Sequence, residues 1–220
     1  MTFINELEQI LKEKSLLKHP FYTLWLEGKL SKTALQGYAR EYYHLEAAFP
    51  SLLLEANKKS PDKESSKILL ENYSEETGEK PHAELWLDFA NGLGLSRQEV
   101  MQGKGIEKTR ETLDEFTSLS KAGWLSSISS LLGYEANLQE TSATKIDGLC
   151  KYYGLKDEDS LAFFKVHGLV DVKHANDWKQ MLSRQAVSKE EQEEAKQSLV
   201  NTMDVLWGFL DGIQERYCNN

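Results

Sequence analysis

A chain of 220 residues, 40% of them hydrophobic, is long enough for a domain with a sizeable core. Its 35 acidic against 26 basic residues leave a net charge of −9, which argues against nucleic acid and anionic membrane surfaces as partners. No apolar run approaches the roughly 20 residues of a membrane span, residues 1–14 lack a secretory core, and Cys150 and Cys218 form no motif, so the expected compartment is a reducing cytoplasm.

Four prolines and weak β-patterning predict an all-α protein. Residues 3–15 carry Phe3, Leu7, Ile10 and Leu11 at helical spacing. Pro20 opens a short helix that Gly28 ends. Ser31 is the expected N-cap of a long helix through Tyr38, Tyr42, Tyr43 and Phe49, which Pro50 should kink or divide. Pro61-Asp62 opens the next helix, which Gly78 and Pro81 interrupt, and His82, Leu85, Trp86 and Phe89 continue beyond the break. Ser96 caps a short helix, residues 106–120 form another, and Trp124–Tyr152 is one long helix or two abutting ones. Asp157 caps the helix over 158–184, and Ser188 begins the last. With no repeat or linker, residues 1–220 form a single domain of seven or more helices, with 1–2 and 217–220 frayed.

The residues that carry chemistry start in the 158–184 helix. At about 100° per residue, His167, Asp171 and His174 fall within an arc of roughly 60°, shared with Phe163 and Trp178. Metal-competent side chains thus sit inside an apolar stripe. Burying each without a partner would cost about 2–7 kcal/mol, so they bond to neighbours or hold a metal. Glu75 and His82, seven apart, share a face if the backbone stays near helical. Glu135 follows Tyr134 in another apolar helix. Oxygen and imidazole donors without thiolate suit iron or manganese and tolerate zinc. Together these residues supply three imidazoles and three carboxylates, more than one open site needs, and bundle cores are known to hold such two-metal centres.

The motifs run along nearly the whole chain. They are His19-x-Phe21-Tyr22-x-x-Trp25, Gly28-x-Leu30 with Tyr38-Ala39-x-x-Tyr42-Tyr43, Ala48-Phe49-Pro50, Glu75-Glu76-x-Gly78-x-x-x-His82, Tyr134-Glu135, His167-x-x-x-Asp171-x-x-His174-Ala175 and Leu206-x-Gly208-Phe209-Leu210-Asp211. In this order they resemble the heme-oxygenase-like metalloenzymes, in particular the CADD-like subgroup around a chlamydial death-domain-associating protein. The resemblance implies a helical bundle around a central cavity, and a homodimer, a common assembly among such proteins. It implies two iron ions, or iron plus manganese, on Glu75, His82, Glu135, His167, Asp171 and His174, with dioxygen and a reductant as co-substrates. It further implies formation of 4-aminobenzoate for folate, with the protein's own Tyr22 as ring source and Lys145 as amine donor.

Read without the resemblance, Tyr22 is an ordinary buried aromatic and Lys145 a solvated lysine. Glu46, one turn beyond Tyr42, faces cavity or solvent, and His19 caps its helix or packs beside Tyr22. Competing functions are a cofactor-independent oxidase like the pyrroloquinoline quinone synthases and a two-metal oxygenase acting on an external small molecule such as a fatty acid or amino acid. A thiaminase-like hydrolase would need a pocket cysteine that neither Cys150 nor Cys218 supplies. A non-enzymatic interaction module would leave buried ligands without a purpose.

Overall fold

The computed structural model describes residues 2–218, apart from the side chains of Asn137, Gln139, Glu140, Leu169, Val170 and Asp171. Among these residues the chain forms ten α-helices and no strand. In chain order they are α1 (Phe3–Glu13), α2 (Pro20–Leu26), α3 (Lys32–Asn57), α4 (Lys63–Glu76), α5 (His82–Gly92), α6 (Arg97–Gln102), α7 (Glu107–Ala122), α8 (Trp124–Tyr152), α9 (Glu158–Gln185) and α10 (Lys189–Ile213).

The helix starts follow from local chemistry. Side-chain oxygens of Thr2, Ser31, Asp62, Ser96, Asp157 and Ser188 each accept the backbone N–H three residues on. Each such cap is worth about 1 kcal/mol. α2 starts at Pro20, whose missing N–H costs nothing in a first turn. It ends before Gly28, which turns the chain with φ +66°.

Pro50 does not divide α3, which runs unbroken from Lys32 to Asn57. Interior proline costs about 3 kcal/mol, but Phe49, Leu53 and Ala56 beyond and beside it are buried. Burial of the two larger side chains is worth about 1.5–3 kcal/mol each and holds the second half in line. The interruption at residues 77–81 is real. α4 and α5 are separate helices, so Glu75 and His82 do not lie on one continuous helical face.

The long helix α8 is the centre of the bundle, packed on α9 and α10 and in further contact with α7, α3 and α2. α3 closes the other side against α4, α5 and α7. α2 approaches α8 closely because Gly148 has no side chain: a Cβ there would lie 2.7 Å from the Trp25 ring. Of the termini expected to fray, residues 1, 219 and 220 lie outside the described residues, and the others are held. Thr2 caps α1, and after α10 a π-helical turn, Gln214–Cys218, brings the Tyr217 hydroxyl to Glu41 Oε1 at 2.7 Å. None of the helices is long and apolar enough to cross a membrane among the described residues.

Candidate metal centre

Four helices bring carboxylates and imidazoles together in the core. Glu46 comes from α3, Glu76 from α4, His82 from the first residue of α5 and His167 from α9. One donor atom from each lies within 4.8 Å of the others, and all four side chains are buried. His167 Nδ1 lies 2.8 Å from the Phe163 carbonyl, to which its N–H donates. That bond leaves Nε2 with its lone pair directed into the cluster, 3.9 Å from Glu46 Oε1. His82 Nδ1 is 2.9 Å from Glu76 Oε2 but off the line of a hydrogen bond.

A second donor set adjoins the first. His174 sits between two carboxylates, with Nδ1 3.1 Å from Glu135 Oε1 and Nε2 2.7 Å from Glu75 Oε2. Glu135 also accepts from Asn72 Nδ2 at 3.1 Å and from the Trp178 indole N–H. The Glu135 charge is felt by Glu46, Glu76 and His82, so the two sets form one electrostatic unit.

The electrostatics of the first set are those of a site short of positive charge. Burial, with the charge of Glu76 behind it, pushes the Glu46 carboxyl up to about 8. Burial and Glu135 raise Glu76 well above the carboxylate range. Burial lowers His82, and burial with neighbouring His82 lowers His167 further. His174 differs: burial pulls its pKa down, but hydrogen bonds and charges from Glu135 and Glu75 outweigh it and raise it.

Two buried atoms of the first set, Glu46 Oε1 and His82 Nδ1, have no hydrogen-bond partner. A buried polar atom left so costs about 1–3 kcal/mol. A cation coordinated there would satisfy both and restore ionised carboxylates beside neutral imidazoles. Oxygen and nitrogen donors without thiolate match iron or manganese. The residues present therefore fit a metal.

Beside the metal donors lies an aromatic pocket. Tyr22 from α2 is 2% exposed and Lys145 from α8 only 1%. With Leu16, Tyr42, Tyr134 and Thr141 they line a cavity of about 20 Å³, room for one water-sized molecule. Lys145 Nζ lies over four rings, 5.5 Å from the centre of Tyr22, 5.3 Å from Tyr38, 5.4 Å from Tyr42 and 5.6 Å from Phe164. These cation–π contacts compensate an ammonium that has left water. Tyr42 stacks on Tyr134 at 6.2 Å, and the Tyr134 hydroxyl donates to Glu46 Oε2 at 3.0 Å. The pocket and the donor cluster thus share a wall.

Residues 36–207 match the family model described as iron-containing redox enzymes. The chain belongs to this family. It is 34% identical to a 4-aminobenzoate synthase of Nitrosomonas europaea, over 100% of this chain and 94% of that protein. It is 31% identical to a 4-aminobenzoate synthase of Chlamydia muridarum, covering 98% and 91%. In fold it is similar to a CADD-like protein of unknown function from Nostoc punctiforme, with a TM-score of 0.80 at 18% identity over 98% of this chain and 96% of that one. The architecture is the heme-oxygenase-like fold, and the chain is an oxidoreductase.

Within this iron-containing redox enzyme, the residues singled out by sequence fall into two groups. His82 and His167 lie in the first donor set, with ring centres 4.6 Å apart. Glu75, Glu135 and His174 form the second. The Asp171 side chain lies outside the described residues. Glu46 and Glu76 are donors that sequence reasoning did not choose. Their signal was present: Glu46 continues the buried stripe Tyr38, Tyr42, Phe49, and Glu76 continues Ser65, Leu69, Asn72. Glu76 rather than Glu75 faces His82 because the break at 77–81 resets the helical phase. Lys145, read from sequence as solvated, is among the most buried side chains of the molecule. Its offset along α8 from Glu135 carries it out of the donor cluster and into the tyrosine pocket.

Proposed function

We propose that this chain is a self-sacrificing 4-aminobenzoate synthase that takes the ring from Tyr22 and the amine from Lys145. The observation that carries the reading is the buried Lys145 nitrogen against the Tyr22 ring, in a pocket sharing Tyr134 with the carboxylate and imidazole cluster. The full-length similarity to two 4-aminobenzoate synthases supports it.

The chemistry of the product fits the residues. 4-Aminobenzoate carries a carboxyl and an amine para to one another on a benzene ring. A tyrosine side chain already has its Cβ and its hydroxyl para. Conversion requires scission between Cα and Cβ, oxidation of Cβ to a carboxyl, and exchange of the phenol oxygen for the Lys145 nitrogen, in which the Cε–Nζ bond breaks, Cε is left at the aldehyde level, and dioxygen takes up the electrons of both oxidations. Lys145 holds a primary amine at the ring face without a second substrate having to enter. The surrounding Tyr38, Tyr42 and Phe164 exclude water and limit the directions in which the amine can move.

For the metal we propose two ions, iron or iron with manganese, one held by Glu46, Glu76, His82 and His167, the other by Glu75, Glu135 and His174. When bound, they supply the oxidising power of dioxygen in the presence of a reductant. The protein's part is to hold Tyr134 on Glu46, to keep His167 in the Nδ1–H tautomer through Phe163, and to keep the pocket dry.

The test is intact-protein mass spectrometry before and after iron, reductant and oxygen, with Tyr22→Phe in parallel. The wild-type chain should lose the Tyr22 side chain and release 4-aminobenzoate without any added substrate. Tyr22→Phe keeps the packing but not the phenol, and should bind metal while product falls to background. Wild-type product from Tyr22→Phe would overturn the reading.

A further inference from the structure

α2 is seven residues long, about 10 Å. So short a helix cannot fix its own direction, and its orientation depends on what grips it. The grip is at its first residue. Of the side-chain N-caps among the described residues, six are serine, threonine or aspartate, and the seventh is His19, on α2.

His19 is fully buried and both ring nitrogens are in use. Nδ1 accepts the Phe21 backbone N–H at 3.0 Å. That acceptance places the ring proton on Nε2, which donates to Asp211 Oδ1 on α10, also at 3.0 Å. The imidazole edge meets the Trp207 ring, 4.7 Å between centres. Burial lowers the pKa of His19 against the pull of Asp211, which favours this neutral form. Trp207 and Asp211 are one turn apart on α10, and Leu206 of the same helix lines the Tyr22 cavity. The His19 carbonyl in turn accepts the Tyr22 N–H at 2.9 Å.

A serine at position 19 would cap α2 equally well but could not reach α10. The imidazole does both, linking the backbone that carries Tyr22 to the helix that forms the far wall of its pocket.

We propose that His19 and Asp211 act as one clamp that positions the Tyr22 ring for reaction, His19 being a positioning residue that acts through the α2 backbone. The inference rests on Tyr22 as the reacting ring and goes beyond it in naming what aims that ring.

The experiment compares His19→Asn, Asp211→Ala and the double variant, all loaded with metal. His19→Asn retains an acceptor in the place of Nδ1 but stops short of Asp211. Asp211→Ala removes the other end of the clamp from a half-exposed position, and stands as a test where His19→Asn fails to fold. The readout is the rate of 4-aminobenzoate formation per metal-loaded chain, below all the thermal midpoints. Each single variant should be slower by about tenfold, since small misplacements of reacting groups are costly. The double should be no slower than the slower single, because both break the same link. Wild-type rates in the single variants, multiplied effects in the double, or a loss that merely follows metal content would each overturn the clamp. A second readout separates this inference from the reading of Tyr22 chemistry. In metal-free protein labelled with fluorotyrosine, the Tyr22 resonance, assigned by its absence in Tyr22→Phe, should shift or broaden in both variants. An unmoved resonance overturns the clamp whatever the source of the product ring.

Discussion

Glu41 and Glu46 stand five residues apart on the same helix, both buried, and they live in opposite conditions. Glu41 has every oxygen occupied. Its Oε2 accepts the Ile106 N–H at 2.9 Å and the Thr109 hydroxyl at 2.6 Å, and its Oε1 accepts Tyr217. It also sits at the N-terminal end of α7, where the helix dipole favours a carboxylate. Glu46 has one oxygen on Tyr134 and the other on nothing, with two imidazoles and a second carboxylate around it. A buried acid whose oxygens the protein itself fully satisfies joins parts of the fold. A buried acid left half-satisfied beside imidazoles offers a place for a cation.

The largest effect expected from this contrast is on stability at Glu41. Glu41→Ala strands three donors that now share a carboxylate and should cost about 4 kcal/mol or more in urea unfolding, with metal affinity per folded chain unchanged. A loss below about 1 kcal/mol would remove the distinction between the two acids.

Next comes the response to metal. Iron or manganese at a hundred times its dissociation constant should stabilise the wild-type chain by about 2.7 kcal/mol for each ion bound, through mass action. His174→Ala leaves Glu135 and Glu75 without the imidazole they share and should remove the increment of the ion that set would hold, about half of the metal-induced shift in thermal midpoint. An undiminished shift would take His174 out of the metal centre.

The smallest and most selective effect is the pH dependence of Glu46. Its carboxyl titrates at about 8 in the folded metal-free protein, against 4.5 for the ordinary group. Between those values the folded chain keeps a proton that the unfolded chain has lost, so this contribution to stability falls as pH rises from 4.5 to 8. His82 and His167 have lowered pKa values, so their contribution rises with pH but only up to 6.5. Above that, subtracting the Glu46→Gln curve from wild type isolates Glu46 from Glu76 and His174. The metal-free wild type should lose on the order of 1–2 kcal/mol more than Glu46→Gln between pH 6.5 and 8. Parallel curves would mean that Glu46 is not the strained acid.

How far the site was legible in advance depends on whether the signal was local. His167 and His174 lie on one unbroken helix, so periodicity alone aligned them. Glu135 stood out as a carboxylate in an apolar run. Glu75 and Glu76 are adjacent, about 100° apart in azimuth on α4, and the choice between them as the neighbour of His82 required knowing how the chain turns through Gly78 and Pro81.

What the sequence determined by itself was the series of helices and most of their starts, because caps, prolines and glycines act over three or four residues. It also determined that most of the histidines and acids of the site would be buried, because they recur inside apolar stripes; Glu75, expected among them, is exposed. Only the tertiary structure decided which buried group meets which. Lys145 became an enclosed amine because α2, α3 and α9 close over α8. Glu46 came to face Glu76, His82 and His167 because α4, α5 and α9 converge on α3. His19 became a link to α10 rather than a simple cap because 192 residues of chain bring Asp211 back to it. These are pairings between helices far apart in sequence, set by how apolar faces of several helices pack at once, and no local pattern encodes them.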